Sequence, residues 1–280
     1  MEPAHPSGRQ PTLPGRCALI LPACHEEQTI GPVLDELLAT LDPRENWIVA
    51  VGVNGSPPGT DRTTLLARRH PLRPLVAETS ARGYGHGCQA AVDLVESLGL
   101  APDAYVFFAA DGANDPRDLP ALLAARRAGY DLVLGCRTVP ASAGNRRAMG
   151  WPHVLANRLL GAWCALLTGR WFDDIGPLRL IERRLFQRLR LREWTFGWTI
   201  EAQVRAVRLG AATKEVPVHE RPRLAGEQKV SKVHWRQTLA IGYQIARAGW
   251  RTRRRPPTTG RGEVRGVAAT VPVPEPADVR

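Results

Sequence analysis

The stretch AYVFFAADGANDPRDLPALLAARRAGYDLVLGC, Ala104 to Cys136, decides the fold. It opens on an unbroken apolar run, AYVFFAA, and closes on another, DLVLGC. Between them Asp115 stands as a helix N-cap, Pro116 takes the first helical position, and DLPALLAARRAG runs on to a glycine. Strands without polar alternation, joined by a helix, are the unit of a parallel sheet buried on both faces. CALILPA (Cys17–Ala23) and WIVAVGV (Trp47–Val53) are further runs of the same kind, with a helical pattern from about Glu27 to Leu41 between them. The fold class is therefore α/β, a Rossmann-like, mostly parallel sheet with helices on both faces. Ligands of such sheets sit beyond the carboxyl ends of the strands. That rule brings PACHEE, NGSPPGTD and DGAND to one edge. In DGAND, Asp111 stands where a turn holds a carboxylate for a hard cation, but Ala109, two residues earlier, offers none.

Residues 16–255 read as one folded domain, and the Pro/Gly-rich stretches 1–15 and 256–280 as disordered tails. Lys and Arg number 38 against 27 Asp and Glu, a net charge of +11 that favours anionic partners. Nucleic acid is not the expected partner, because no module interleaves aromatic and basic residues. The 5 cysteines are scattered without a CxxC pair, which suits reduced thiols. The N-terminus has no apolar h-region, and no run reaches the roughly eighteen apolar residues of a spanning helix. The expectation is a cytoplasmic protein, soluble or at most peripheral at the inner face of the membrane. WRQTLAIGYQIARAGWRTRRR, near the C-terminus, suits contact with an anionic membrane; packing of that helix on the domain is the simpler reading.

Taken together, the segments resemble the inverting GT-A glycosyltransferases of family 2, nearest the polyprenyl-phosphate (dolichyl-phosphate) mannosyl- and glucosyltransferase group. The resemblance spans about residues 17–245. LPACHEE is similar to that family's Leu-Pro-Ala-x-Asn-Glu-Glu, VNGSPPGT to its nucleotide loop, ARGYGHGCQAA to its Gly-Tyr-Gly segment and FFAADGANDP to its Asp-x-Asp strand end. DIGPLRLI, FGWTIEAQVRA and RPRLAGEQKVS resemble its Asp-x-Gly-Pro-Phe-Arg, Gly-Trp-Thr-x-Glu and basic-loop segments, and these are the most specific.

The resemblance implies transfer of a hexose from a UDP- or GDP-linked sugar to a lipid phosphate or small-molecule acceptor, with Mg2+ or Mn2+ as cofactor. Pro22, Ala23, Glu26 and Asn54 are implied around the base and ribose, although an ordinary helix start and turn explain the same residues. Gly83, Tyr84 and Gly85 are implied to approach the donor, and Asp111 to ligate the metal. Arg137, Arg223 and Lys229 are implied on the diphosphate, with the loop carrying Arg221, Arg223, Lys229 and Lys232 as a lid. Asp174 and Glu201 are the candidate bases and Arg179 a forked phosphate grip. For Glu201 the plain alternative is a salt bridge to a neighbouring arginine. Departures from the pattern are His25, Asn54, Pro58, Ala109 and Gln228. With Ala109 in place of the first acidic residue, a catalytically weakened or inactive nucleotide-sugar-binding homologue is the alternative.

Overall fold

A computed structural model describes residues 15–138, 151–195, 197–225, 243–244 and 246–252. Lys229, Lys232 and the tails, apart from Gly15, lie outside the described residues.

Among the described residues, seven strands form one sheet in the order β3-β2-β1-β4-β6-β5-β7. They are β1 (Cys17–Ala23), β2 (Trp47–Asn54), β3 (Leu75–Thr79), β4 (Ala104–Phe107), β5 (Leu132–Cys136), β6 (Arg179–Glu182) and β7 (Thr213–Pro217). β1 pairs in parallel with β2 and β4, β2 with β3, and β5 with β7. Only β6 runs antiparallel, wedged between β4 and β5. β2 and β3 are added on one side of β1 and β4 returns to its other side, so the strand order reverses at β1, and the switch-point rule places a ligand crevice beyond its carboxyl end.

Alternate strand residues feed two cores. Leu19, Leu21 and Val106 face one, with Val33, Leu34 and Leu37 of α1 (Ile30–Thr40) and Leu122 of α4 (Leu119–Arg127). Ala18, Ile20, Tyr105 and Phe107 face the other, with Val92 and Val95 of α3 (Tyr84–Ser97) and Ile200 and Val204 of α7 (Trp198–Arg208). Further helices are α2 (Arg62–Arg69), α5 (Trp151–Thr168) and α6 (Arg183–Leu189). Trp198 is the pillar of the second core, 4.8 Å from Phe107 and 5.5 Å from Tyr84, both edge-on. Truncating such a buried aromatic costs about 3–5 kcal/mol.

The helix start at Asp115 forms as read: its carboxylate accepts from the Arg117 amide at 3.0 Å. The first turn, Pro116–Asp118, is a 3-10 turn before α4 begins. Strands β3 and β6 are additions to the sequence reading: neither LVAET nor RLIE is an unbroken apolar run, the signal by which β1, β2, β4 and β5 were read. The C-terminal helical residues 246–252 pack on the domain: Ala248 and Thr252 are buried, and Trp250 stacks on Trp163.

Candidate active site

The crevice beyond β1, β2, β4 and β5 contains two arginines, each held by two carboxylates. Arg223 bridges Glu26 and Asp111, its Nη2 on Glu26 Oε2 and its Nη1 3.4 Å from Asp111 Oδ2. Arg137 bridges Asp174 and Glu220.

The first bridge is placed by backbone. Residues 220–224 run beside the DGAND turn: Asn114 and Glu220 form an antiparallel bridge, the Arg221 amide donates to Ala113 O, and the Leu224 amide to Asp111 O. Gly112 has φ +81°, and a Cβ there would lie 2.4 Å from Leu224 Cγ, so glycine both makes the turn and admits the strap. Glu26 follows β1, its amide donating to Thr63 Oγ1 at 2.9 Å and its carboxylate accepting from Thr29 Oγ1 at 3.0 Å. Asp111 is half-buried and accepts from the Ala113 amide at 3.1 Å. Arg221, also read as part of the lid, is instead tied to Glu36 of α1.

The second bridge joins β5 to the DIGP turn. The Arg137 amide and Nε donate to Asp174 Oδ2 at 2.9 and 2.7 Å, Nη2 to Oδ1 at 2.9 Å, and Nη1 to Glu220 Oε1 at 3.2 Å. Glu215 on β7 accepts from the Asp173 and Asp174 amides. Burial pushes the Glu220 carboxyl up to about 7 against the pull of Arg137, with Asp174 and Asp111 adding to the rise. Burial likewise pushes Glu215 up to about 7, although the Asp173 and Asp174 amides oppose it.

Several expected site residues have other partners. Arg179 is fully buried, donating to Thr199 O at 3.1 Å and to Gly176 O, its guanidinium 5.6 Å from the Trp198 ring centroid. Because β6 inserts between β4 and β5, this side chain points into the core rather than forking toward a phosphate. Glu201 is also fully buried; Oε2 accepts from the Arg192 and Glu193 amides at 2.7 and 2.8 Å, and Oε1 from Arg205 Nε at 2.8 Å. It is a tether for the loop ahead of α7, and the salt bridge to a neighbouring arginine is the reading that fits.

The glycines of the Gly-Tyr-Gly segment make room for protein. A Cβ on Gly83, at φ +146°, would meet Trp194 O at 2.5 Å, and one on Gly85 would meet Trp198 Cδ1 at 2.6 Å. The Tyr84 hydroxyl reaches toward Pro177 O at 3.5 Å. Asn54, at the end of β2, donates from Nδ2 to Gly83 O at 3.1 Å, tying β2 to this loop. Pro22 and Ala23 end β1 beside Gly52 and Val53 of β2. Asp61 caps α2, accepting from the Thr63 amide at 2.9 Å, and also meets His25. Thus Glu26, Asp111, Arg137, Asp174 and Arg223 come together in the crevice, whereas Arg179 and Glu201 lie in the core.

Glu220 was not singled out from the sequence, although it lies three residues after β7 and three before Arg223. No group of three His, Cys, Asp or Glu converges among the described residues, so a divalent cation at Asp111 would draw its other ligands from diphosphate oxygens and water.

The sequence profile of the family described as Glycosyl transferase family 2 matches residues 18–198, which hold β1, the DGAND turn, Arg137 and Asp174. The chain belongs to glycosyl transferase family 2. Within this family, an uncharacterized glycosyltransferase of Mycobacterium tuberculosis is 30% identical over 215 residues, 76% of this chain and 88% of that one. Polyprenol monophosphomannose synthase of Mycolicibacterium smegmatis is 28% identical over 244 residues, 85% of this chain and 88% of that one. Among solved structures, glucosyl-3-phosphoglycerate synthase from M. tuberculosis, in complex with Mn2+, UDP-glucose and phosphoglyceric acid, superposes with a TM-score of 0.61 at 21% identity, covering 86% of this chain and 81% of that one. Mannosyl-3-phosphoglycerate synthase from Rubrobacter xylanophilus gives 0.63 at 18%, covering 85% and 73%. These two share the GT-A fold with this family 2 transferase.

Proposed function

We propose that this glycosyltransferase moves a hexose, with inversion, from a UDP- or GDP-sugar to an acceptor that is already an anion, a polyprenyl phosphate. The observation that carries the reading is the three-donor grip of Arg137 on Asp174. Glu201 is also held by three donors, so both expected bases are engaged by the protein's own donors rather than directed at an acceptor. A phosphate acceptor needs none, since its oxygen is already charged at neutral pH.

In this mechanism an acceptor phosphate oxygen attacks the anomeric carbon as the bond from that carbon to the β-phosphate oxygen breaks. The nucleoside diphosphate leaves with the electron pair, and the product is a sugar phosphodiester. Arg223 exchanges its carboxylates for the diphosphate and neutralises charge growing on the leaving group. Asp111 would hold a divalent cation, Mg2+ or Mn2+, which supplies further charge neutralisation when bound. Lys229 belongs to the same basic segment in sequence and would extend the lid over the donor, excluding water. The mycobacterial polyprenol monophosphomannose synthase supports the acceptor class, and the Mn2+ and UDP-glucose named for glucosyl-3-phosphoglycerate synthase support the donor and cation.

The test is release of nucleoside diphosphate from UDP- and GDP-sugars by the full chain, with a short polyprenyl phosphate or with the matching polyprenol. Turnover with the phosphate alone is expected. Turnover with the alcohol but not the phosphate would overturn the acceptor class. It would direct attention to Glu220, whose carboxyl near 7 suits a general base.

A further inference from the structure

Helix α5 contains no Asp, Glu or Lys and a single arginine, Arg158. Its inner side carries the buried Cys164 and Leu167. A helix on a protein surface is ordinarily polar on the other side. Here Leu155, Leu159, Ala162 and Leu166 recur at spacings of four, three and four, which lines them along one outer face. Leu155 is 48% exposed, Leu159 64% and Leu166 65%. Trp163, next to this stripe, stacks on Trp250 at 6.2 Å, and its Nε1 donates to Ala246 O at 3.1 Å. Trp250 is itself exposed, so the apolar face extends onto the C-terminal helical residues that pack beside α5.

The segments that carry this face hold charge of one sign. The sequence contains no Asp or Glu from residue 138 to 172, and none from 228 to 262, while Arg146, Arg147, Arg158, Arg247, Arg251 and the run Arg253 to Arg255 fall within those limits. Apolar side chains in segments whose charges are all cationic complement a negatively charged lipid surface. A second copy of the chain would bring the same cations against one another with no acidic residue in these segments to offset them.

We propose that the leucine stripe of α5, together with Trp250, is a docking face for an anionic lipid bilayer. Leu155, Leu159 and Leu166 enter the headgroup boundary, and the exposed Arg158 and Arg247 meet lipid phosphates. No helix among the described residues is long and apolar enough to cross a membrane, so the contact is one of lying on the surface. The chain leaves α5 through the exposed Trp171, whose Nε1 donates to Asp173 Oδ1 at 2.9 Å, and next reaches Asp174, the partner of Arg137. On the transferase reading, docking sets the acceptor side of the crevice at the lipid surface.

The experiment is co-sedimentation of the full chain with phosphatidylcholine vesicles, with and without phosphatidylglycerol, beside the double variant Leu159→Ser/Leu166→Ser. Binding only to phosphatidylglycerol vesicles is expected, weakened about tenfold by the double variant and likewise by high salt. Equal binding of variant and parent, or no binding to anionic vesicles, would overturn the proposal. So would a lipid-free dimer that the variant dissociates, since the occupant would then be a second copy. The thermal shift produced by nucleotide-sugars, measured on both proteins, is expected to be the same in each, showing that the variant is folded. A chain that binds vesicles but shows no nucleotide shift would sink the transferase reading and leave the docking face standing.

Discussion

Arg137 and Asp174 form the most complete ion pair of the crevice: the Arg137 amide, Nε and Nη2 all donate to the Asp174 carboxylate, at 2.9, 2.7 and 2.9 Å. Asp174 is buried and Arg137 nearly so, and breaking a buried pair leaves a charge without compensation. Arg137→Met is expected to destabilise the fold by about 3–5 kcal/mol. The double change Arg137→Met/Asp174→Leu should recover much of that loss in urea titrations. Equal destabilisation by both would show that the pair is not what the site depends on.

Arg223 occupies the cation position between Glu26 and Asp111. Removing it leaves two carboxylates facing the same space. Arg223→Ala is expected to raise the Mn2+-induced melting shift of the nucleotide-free protein. It should also weaken binding of the nucleoside diphosphate about tenfold or more, the value of a charge-assisted hydrogen bond. A fall in both would place Arg223 outside this competition.

Ala109 leaves Asp111 as the one acidic side chain of the pair expected from the strand-end pattern. Its amide donates to Asn114 Oδ1 at 2.9 Å, a bond that any side chain at this position keeps. Ala109→Asp is expected to tighten Mn2+ binding in the presence of UDP or GDP by about tenfold, as a second hard oxygen joins the shell. Calorimetric titration with Mn2+ reads the change, and unchanged affinity would mean that residue 109 does not face the cation.

Glu201 is a tether between Arg205 and the amides of Arg192 and Glu193. Glu201→Gln is expected to cost about 1–3 kcal/mol in stability, since it weakens hydrogen bonds to a buried charge. Sugar transfer below the melting range should fall less than tenfold. Loss of transfer by a hundredfold with an unchanged melting temperature would make Glu201 a catalytic base after all.

Glu215 carries a carboxyl raised to about 7 from an ordinary value of 4.5, chiefly by burial. A folded-state pKa above the unfolded one means that the folded chain holds the proton longer. The contribution to stability is therefore full below about 4.5 and is lost as pH rises through about 7. Glu215→Gln keeps an acceptor for the Asp173 and Asp174 amides and removes the titration. Melting temperatures measured from acid to neutral pH should fall less steeply for the variant than for the parent, and parallel curves would contradict this.

The sheet was legible because its signals are local. CALILPA, WIVAVGV, AYVF and LVLGC declare buried strands by apolar continuity, and Asp115-Pro116 declares a helix start by capping chemistry. β6 was not legible: four residues, Arg179–Glu182, with an arginine turned inward, carry no period. The placement of Arg179 was hidden for the same reason: expected on a phosphate, it donates to Thr199 O and Gly176 O, turned inward where β6 lies between β4 and β5.

What the sequence by itself determined about this protein is the α/β class, the mostly parallel sheet and the edge at which its strand ends converge. Each of these follows from side-chain periodicity and turn chemistry within a few residues. The tertiary structure alone decided which charges are spent and which remain for a ligand. Arg223 meets Glu26 across 197 positions and Arg137 meets Asp174 across 37, while Glu201 is taken up by its own neighbours. A carboxylate reads the same in a string of letters whether it faces water, an arginine or a backbone amide. Its chemistry is set by burial and by the partner that folding brings beside it.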